Sequence, residues 1–254
     1  MKLFGANKII NEKNLQSDLC TYYVGFDLND SGEKEYRIND LVKLLLNVIP
    51  EFSFGFHEGV NTDNTEMLSK IIESAKMIYK VDAFQKVRDL YLNGNGIDDS
   101  VADRYLRRGE FGVLILHLLL RDFHKTIPLL SKIYFKDSDG HAVHGFDAVH
   151  IQPDTKTLWL GESKLYTDGK AGIKALINDI KENFVNDYLK SEFAIVSRKV
   201  KTSKNVFNED EKEYWLDLMK DTTKLETKLD AINIPLLCTY QSDNFTKYDD
   251  EALQ

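Results

Sequence analysis

Residues 144–164, HGFDAVHIQPDTKTLWLGESK, hold two apolar, β-rich runs joined by Pro153-Asp154-Thr155-Lys156. Alternation on both sides of a Pro-Asp break predicts a β-hairpin. A turn centred between Asp154 and Thr155 sets Asp147 opposite Glu162, and directly opposed residues point to one face of a sheet. Lys164, two residues beyond Glu162, joins that face. Two carboxylates and an ammonium are thereby gathered among Phe, Val, Ile, Leu and Trp. Charge set into an apolar sheet has to be paired or has to hold an ion. Adjacent carboxylates repel, and a hard divalent cation that takes oxygen ligands relieves the repulsion. One reading is an ion pair of Lys164 with either acid on a solvated face. The other is a metal site, which the register favours because it brings all three residues together.

The elements around the hairpin extend it into an α/β core. Val101 to His124 reads as a helix, apolar nearly all round from Phe111 onward, which implies burial. Its Gly109 and Gly112 would let it approach a sheet closely. Ser131 to Lys136 reads as a strand, turned at Asp137-Ser138-Asp139-Gly140, where the later ligands of a calcium loop are missing. After the hairpin, Thr167-Asp168-Gly169 opens a helix over Lys170 to Lys190, with Ile173, Leu176, Ile177, Ile180, Phe184 and Tyr188 as its buried stripe. Phe193 to Ser197 reads as a buried strand. The order is αβββαβ. Beyond it, Glu209 to Leu229 predicts a helix and Ile234 to Tyr240 a last strand, which Pro235 keeps at an edge or a strand start.

Asn93-Gly94-Asn95-Gly96 is the strongest boundary signal in the chain. Before it, residues 1–100 predict an α+β lobe that extends the core of residues 101–254. That lobe holds a strand over Leu19 to Leu28 and a helix over Ile38 to Val48 that ends before Pro50. A strand with Phe52, Phe54 and Phe56 on one face and a helix over Asn64 to Val81 follow.

A net charge of −8 counts against a self-sufficient nucleic-acid binder, because phosphate contacts supply most of the non-specific affinity. Either a local basic strip offsets the bulk charge or a partner holds the DNA. Lys170 and Lys174 lie near a helix start, where lysines oppose the dipole and phosphate is favoured. Arg198, Lys199 and Lys201 belong to the one basic run. Glu110, His117, Arg121 and His124 fall within about 40° of one line on their helix, and the histidines read as its solvent face. His144 and His150 alternate away from Asp147 and read as packing or surface. No apolar run approaches a membrane span, no leader peptide is expected at MKLFGANKII, and the lone Cys20 and Cys238 are expected to stay reduced, as in cytoplasm.

Asp147…Glu162-Ser163-Lys164 resembles the D…(D/E)xK signature of the restriction-endonuclease-like nuclease superfamily, whose core is αβββαβ. Phe146 stands where that superfamily often has Pro. The blocks RRGEFGVLILHLLLRDF, GFDAVHI and LWLGESKLY, in that order, resemble the HamA-like nuclease subunit of the Hachiman anti-phage defence system. The resemblance implies a DNase, and with no base-reading element evident, cutting without sequence preference is expected. Asp147, Glu162 and the Ser163 carbonyl would bind Mg²⁺, for which Mn²⁺ substitutes, and Lys164 would orient or help deprotonate the attacking water. Glu110 would complete the site from the core helix. A superfamily-2 helicase would restrain the nuclease until infection or DNA damage releases it. The competing reading is a non-catalytic nuclease-like module that docks the helicase or senses DNA.

Overall fold

In the computed structural model, which describes residues 3–28, 31–54, 69, 72–73, 109–131, 146–183, 186–202, 207–243 and 247, the hairpin forms in the register its turn dictates. Strands β6 (Ala148–Gln152) and β7 (Thr157–Tyr166) pair antiparallel from Ala148 against Gly161 to Gln152 against Thr157. Residues 153–156 make the turn, with Lys156 in the left-handed region. Strand β5 (Ile127–Ser131) pairs antiparallel with the other side of β6.

On its far edge β7 carries two short parallel strands in succession, β8 (Ile232–Asn233) and β9 (Leu236–Tyr240). Pro235 sits in the break between them. It has no N–H to give a ladder, and its carbonyl accepts from the Glu162 N–H at 3.0 Å. The expected edge position of Pro235 is therefore met.

Helices cover both faces of this sheet. Helix α2 (Gly109–Asp122) lies on one, its Leu116 and Leu120 packed with Ala148. Its close approach depends on glycine. A Cβ on Gly112 would stand 3.2 Å from Ser163 Oγ, and one on Gly161 would stand 2.8 Å from Leu116 Cδ2. The other face carries α3 (Gly169–Asn183), α4 (Asn186–Thr202) and α5 (Glu209–Leu218). There Val149, Ile151, Leu158 and Leu160 of the hairpin pack with Leu189, Phe193, Val196 and Val200 of α4 and Trp215 of α5.

Several expectations give way here. Phe193 to Ser197 is not a strand but the middle of α4, because Leu189, Phe193, Val196 and Val200 recur at helical spacing and all are buried. The strand that follows α3 in the sheet is instead β9, from much later in the chain. The single helix over Lys170 to Lys190 is two, α3 and α4. Leu176 of its expected stripe is buried, whereas Ile173 and Ile177 are exposed. The helix over Glu209 to Leu229 breaks after Leu218 and resumes as α6 (Leu225–Asp230). Asn208 starts α5 with a capping box closed by Glu211. The strand placed at Ser131 to Lys136 begins earlier, at Ile127, and residues 132–145, with the Asp137–Gly140 turn and His144, lie outside the described residues.

The N-terminal segment builds two small hairpins, β1 (Ile10–Gln16) with β2 (Leu19–Val24) and β3 (Phe26–Leu28) with β4 (Lys34–Tyr36). The expected strand over Leu19 to Leu28 is thus split at Gly25. Helix α1 (Ile38–Phe54) runs through Pro50 instead of stopping before it. Burial of Ile49 and Phe52 in the cluster shared with Val113, Leu114 and Leu118 of α2 offsets the hydrogen bond that proline removes. Phe52 and Phe54 are therefore helical, not alternating on a strand. The helix over Asn64 to Val81 falls almost wholly outside the described residues, as does the Asn93–Gly96 boundary. Among the described residues no helix is long and apolar enough to cross a membrane.

Candidate metal centre

Asp147 stands in a bend one residue before β6, at the position that the hairpin register carries opposite Glu162. Both side chains are buried, Asp147 at 4% and Glu162 at 6% exposure. The Ser163 N–H and hydroxyl both donate to Asp147 Oδ2, at 2.9 and 3.0 Å. Gly112 leaves the room for that hydroxyl under α2. Ser163 thus holds Asp147 in place from the neighbouring strand.

Lys164 is half-buried and forms an ion pair with Asp179 of α3. Burial by itself pulls the ammonium's pKa down, but the hydrogen bond and charge of Asp179, then the charges of Glu162 and Asp147, outweigh it and hold Lys164 above the ordinary lysine value. Three carboxylates therefore act on one ammonium. Asp147 and Glu162 both act on Lys164, and Asp179 of α3 acts on it most strongly. Sequence reasoning missed Asp179, although it falls on the same i, i+4, i+7 row as the buried Gly172 and Leu176.

The donor set suits a hard cation. Negative charge exceeds positive, the acids offer oxygen, and the Ser163 backbone is beside them. Among the described residues no three His, Cys, Asp or Glu side chains group as a metal cluster on their own. An ion here would thus add backbone or solvent oxygen to the two acids. Glu110 is in the first turn of α2, and its side chain lies outside those described.

The expected phosphate-contacting residues separate into two groups. Lys170 and Lys174 are exposed at the start of α3, where Asp168 accepts from the Lys170 N–H at 2.9 Å. Arg198, Lys199 and Lys201 lie toward the end of α4, not beyond a strand, and cations there complement the helix dipole.

His117 is not on the solvent face of α2, and Arg121 on the same line is buried with it. Both are about as buried as side chains can be, at 1% exposure, and meet Glu51 of α1. Arg121 donates to both carboxylate oxygens of Glu51, through Nη2 at 2.9 Å and through Nε. Glu51 accepts only, so the proton of the 3.1 Å contact sits on His117 Nε2. His150 Nε2 lies 3.2 Å from His117 Nδ1, and the Thr126 hydroxyl lies 2.7 Å from His150 Nδ1. Burial raises the Glu51 carboxyl, but hydrogen bonds from Arg121 and His117 overcome it and leave the pKa below the usual range. Burial, then the charges of His117 and Arg121, push the His150 imidazole well below its ordinary value. His124 is partly buried and contacts the Tyr22 hydroxyl at 3.1 Å.

Compared with known proteins, the chain matches the HamA family model over residues 3–254. No curated protein and no solved structure matches it.

Proposed function

The chain belongs to the HamA family and is a component of the Hachiman anti-phage defence system, and from that premise we propose that it is the system's metal-dependent, sequence-independent DNase. The observation that carries this reading is the buried pair Asp147 and Glu162, fixed beside Lys164 in an otherwise apolar sheet. Burying two like charges together is costly unless they are used.

In this reading Asp147, Glu162 and the Ser163 carbonyl hold Mg²⁺, with Mn²⁺ as a substitute. What the bound ion supplies is Lewis acidity toward water and toward phosphate oxygen. Ser163 fixes Asp147 with two hydrogen bonds, so that ligand is set before metal or substrate arrives. Lys164, held as an ammonium by Asp179, donates hydrogen bonds to the attacking water or to the phosphate and offsets charge that develops there. A lysine so stabilised in its protonated form serves as a donor and electrostatic partner, not as a base. Lys170 and Lys174, exposed near the start of α3, are candidates for contacts to the DNA backbone. Glu110 remains a further ligand candidate from α2.

The acidic bulk charge favours a partner that delivers DNA. A superfamily-2 helicase fits that role and would keep an unselective nuclease restrained until infection or DNA damage. The test is cleavage of supercoiled and linear plasmid with Mg²⁺ or with EDTA, for the chain alone and with the helicase. Metal-dependent cutting whose extent changes with the helicase supports the reading. No cutting under any condition, with the helicase bound, sinks it.

A further inference from the structure

We propose that the open edge of β9 and the isoleucines of α3 form a symmetric interface with a second copy of this chain. The Glu162 N–H donates to the Pro235 carbonyl, which fixes the phase of the parallel ladder between β7 and β9. Leu237 and Thr239 therefore direct their main-chain groups to β7, and the N–H and C=O groups of Leu236, Cys238 and Tyr240 point outward. Among the described residues no strand pairs with that outer side. Free edges are ordinarily blunted by proline, charge or a bulge. The opposite edge strand, β5, has Pro128 and a register break beside it. The five residues of β9, Leu-Leu-Cys-Thr-Tyr, carry none of these devices.

The side chains around this edge are apolar and open. Ile173, Ile177, Leu236 and Tyr240 are each 46% to 50% exposed, although the two isoleucines belong to the stripe that the sequence marks for burial. Their direction follows from two contacts of α3. Asp179 meets Lys164 of β7, and a Cβ on Gly169 would lie 3.1 Å from the Tyr240 ring of β9. At 100° per residue, Gly169 stands about 80° round the helix from Asp179, and Ile173 and Ile177 stand about 40° and 80° further in the same sense. Both isoleucines thus overhang the open edge. A dyad through Cys238 sets Leu236 against Tyr240 of the second copy and puts every outward main-chain group into a hydrogen-bonded antiparallel pair. With strands about 4.8 Å apart and α3 above β7 and β9, the two α3 helices come to about 10 Å, the spacing of packed helices. A lone peptide strand would satisfy the edge and leave the isoleucines open, whereas a second copy covers both. None of the four side chains is charged, so the patch avoids the repulsion that two chains of net charge −8 otherwise feel. Tyr240 of the second copy would stand opposite Leu236, the neighbour of Glu162, and wall one side of the candidate metal centre. The interface holds whether or not that centre is catalytic.

The test is sedimentation equilibrium of the full chain at rising concentration, up to about 100 μM. The wild-type chain is expected to reach twice its monomer mass. Ile177→Lys and Tyr240→Lys each raise the dimer dissociation constant at least about a hundredfold, because each substitution acts twice across the dyad. Leu46→Lys, at an exposed leucine of α1, leaves it unchanged. A wild-type chain that stays monomeric throughout overturns the proposal, as does a dimer that Ile177→Lys and Tyr240→Lys leave intact. Hydrogen exchange of the unmodified chain gives a readout that needs no variant. The amides of Leu236, Cys238 and Tyr240 are expected to gain protection as protein concentration rises. Exchange independent of concentration overturns the interface. Protection gained only on adding the helicase overturns it too, and gives the edge to that partner.

Discussion

Arg121 of α2 and Glu51 of α1, 70 residues apart in the chain, form a fully buried two-point ion pair. It ties the N-terminal helix to the helix that backs the sheet. Removing Glu51 takes from buried Arg121 its two-point carboxylate partner. Glu51→Ala is therefore expected to cost about 3–5 kcal/mol, read from the midpoint shift in urea unfolding. A cost below 1 kcal/mol would show that the pair is not desolvated as described.

His150 gives stability a pH dependence. Its folded-state pKa is depressed, so on acidification the unfolded chain takes up the proton first. Stability is full above the ordinary imidazole range near 6.5 and falls below it, by up to about 1.4 kcal/mol per pH unit for this one group. His124, also depressed by burial, adds in the same direction. Glu51 adds a further loss only below the ordinary glutamate range, as pH approaches its lowered value. Unfolding free energies measured from pH 7 to pH 5 are expected to fall, with a shallower slope in His150→Gln.

Asp179→Asn removes the hydrogen bond and the charge that most support the Lys164 ammonium. The lysine pKa then falls. If Lys164 acts as an ammonium, the alkaline limb of the cleavage rate moves to lower pH while the acid limb stays in place. An unchanged alkaline limb separates Asp179 from the function of Lys164.

A site with two buried acids predicts stabilisation by its ion. Mg²⁺ or Mn²⁺ at a hundred times its dissociation constant is worth about 2.7 kcal/mol to a fold that binds it only when native. The melting temperature is expected to rise with either ion in wild type. Asp147→Asn, which also weakens the hydrogen bonds from Ser163, is expected to lose most of that rise. Equal rises in both proteins would place the ion elsewhere.

The hairpin and its acids were legible because their evidence is local. The Pro-Asp break set the register, which places Asp147 and Glu162 just past the last printed pair, Ala148 against Gly161. Phe193 to Ser197 was misread for the opposite reason, since a short apolar run fits strand and helix alike. The spacing of Leu189, Phe193, Val196 and Val200 held the better answer. The pairing of β9 with β7 and of Glu51 with Arg121 joins distant segments. No local pattern announces such partners, and His117 looks solvent-facing until buried Glu51 is found across from it. Asp179 lies between these cases, on the helix row of Gly172 and Leu176 that the sequence itself spells out.

Glu162→Gln keeps the shape of a buried side chain while removing its charge. Its rate of plasmid cleavage in Mg²⁺ should be measured beside wild type at matched melting temperature. The account predicts a loss of at least about a hundredfold, on the scale of removing one electrostatic group from a catalytic site. A variant that cuts within about threefold of wild type would contradict a metal centre built on Asp147 and Glu162.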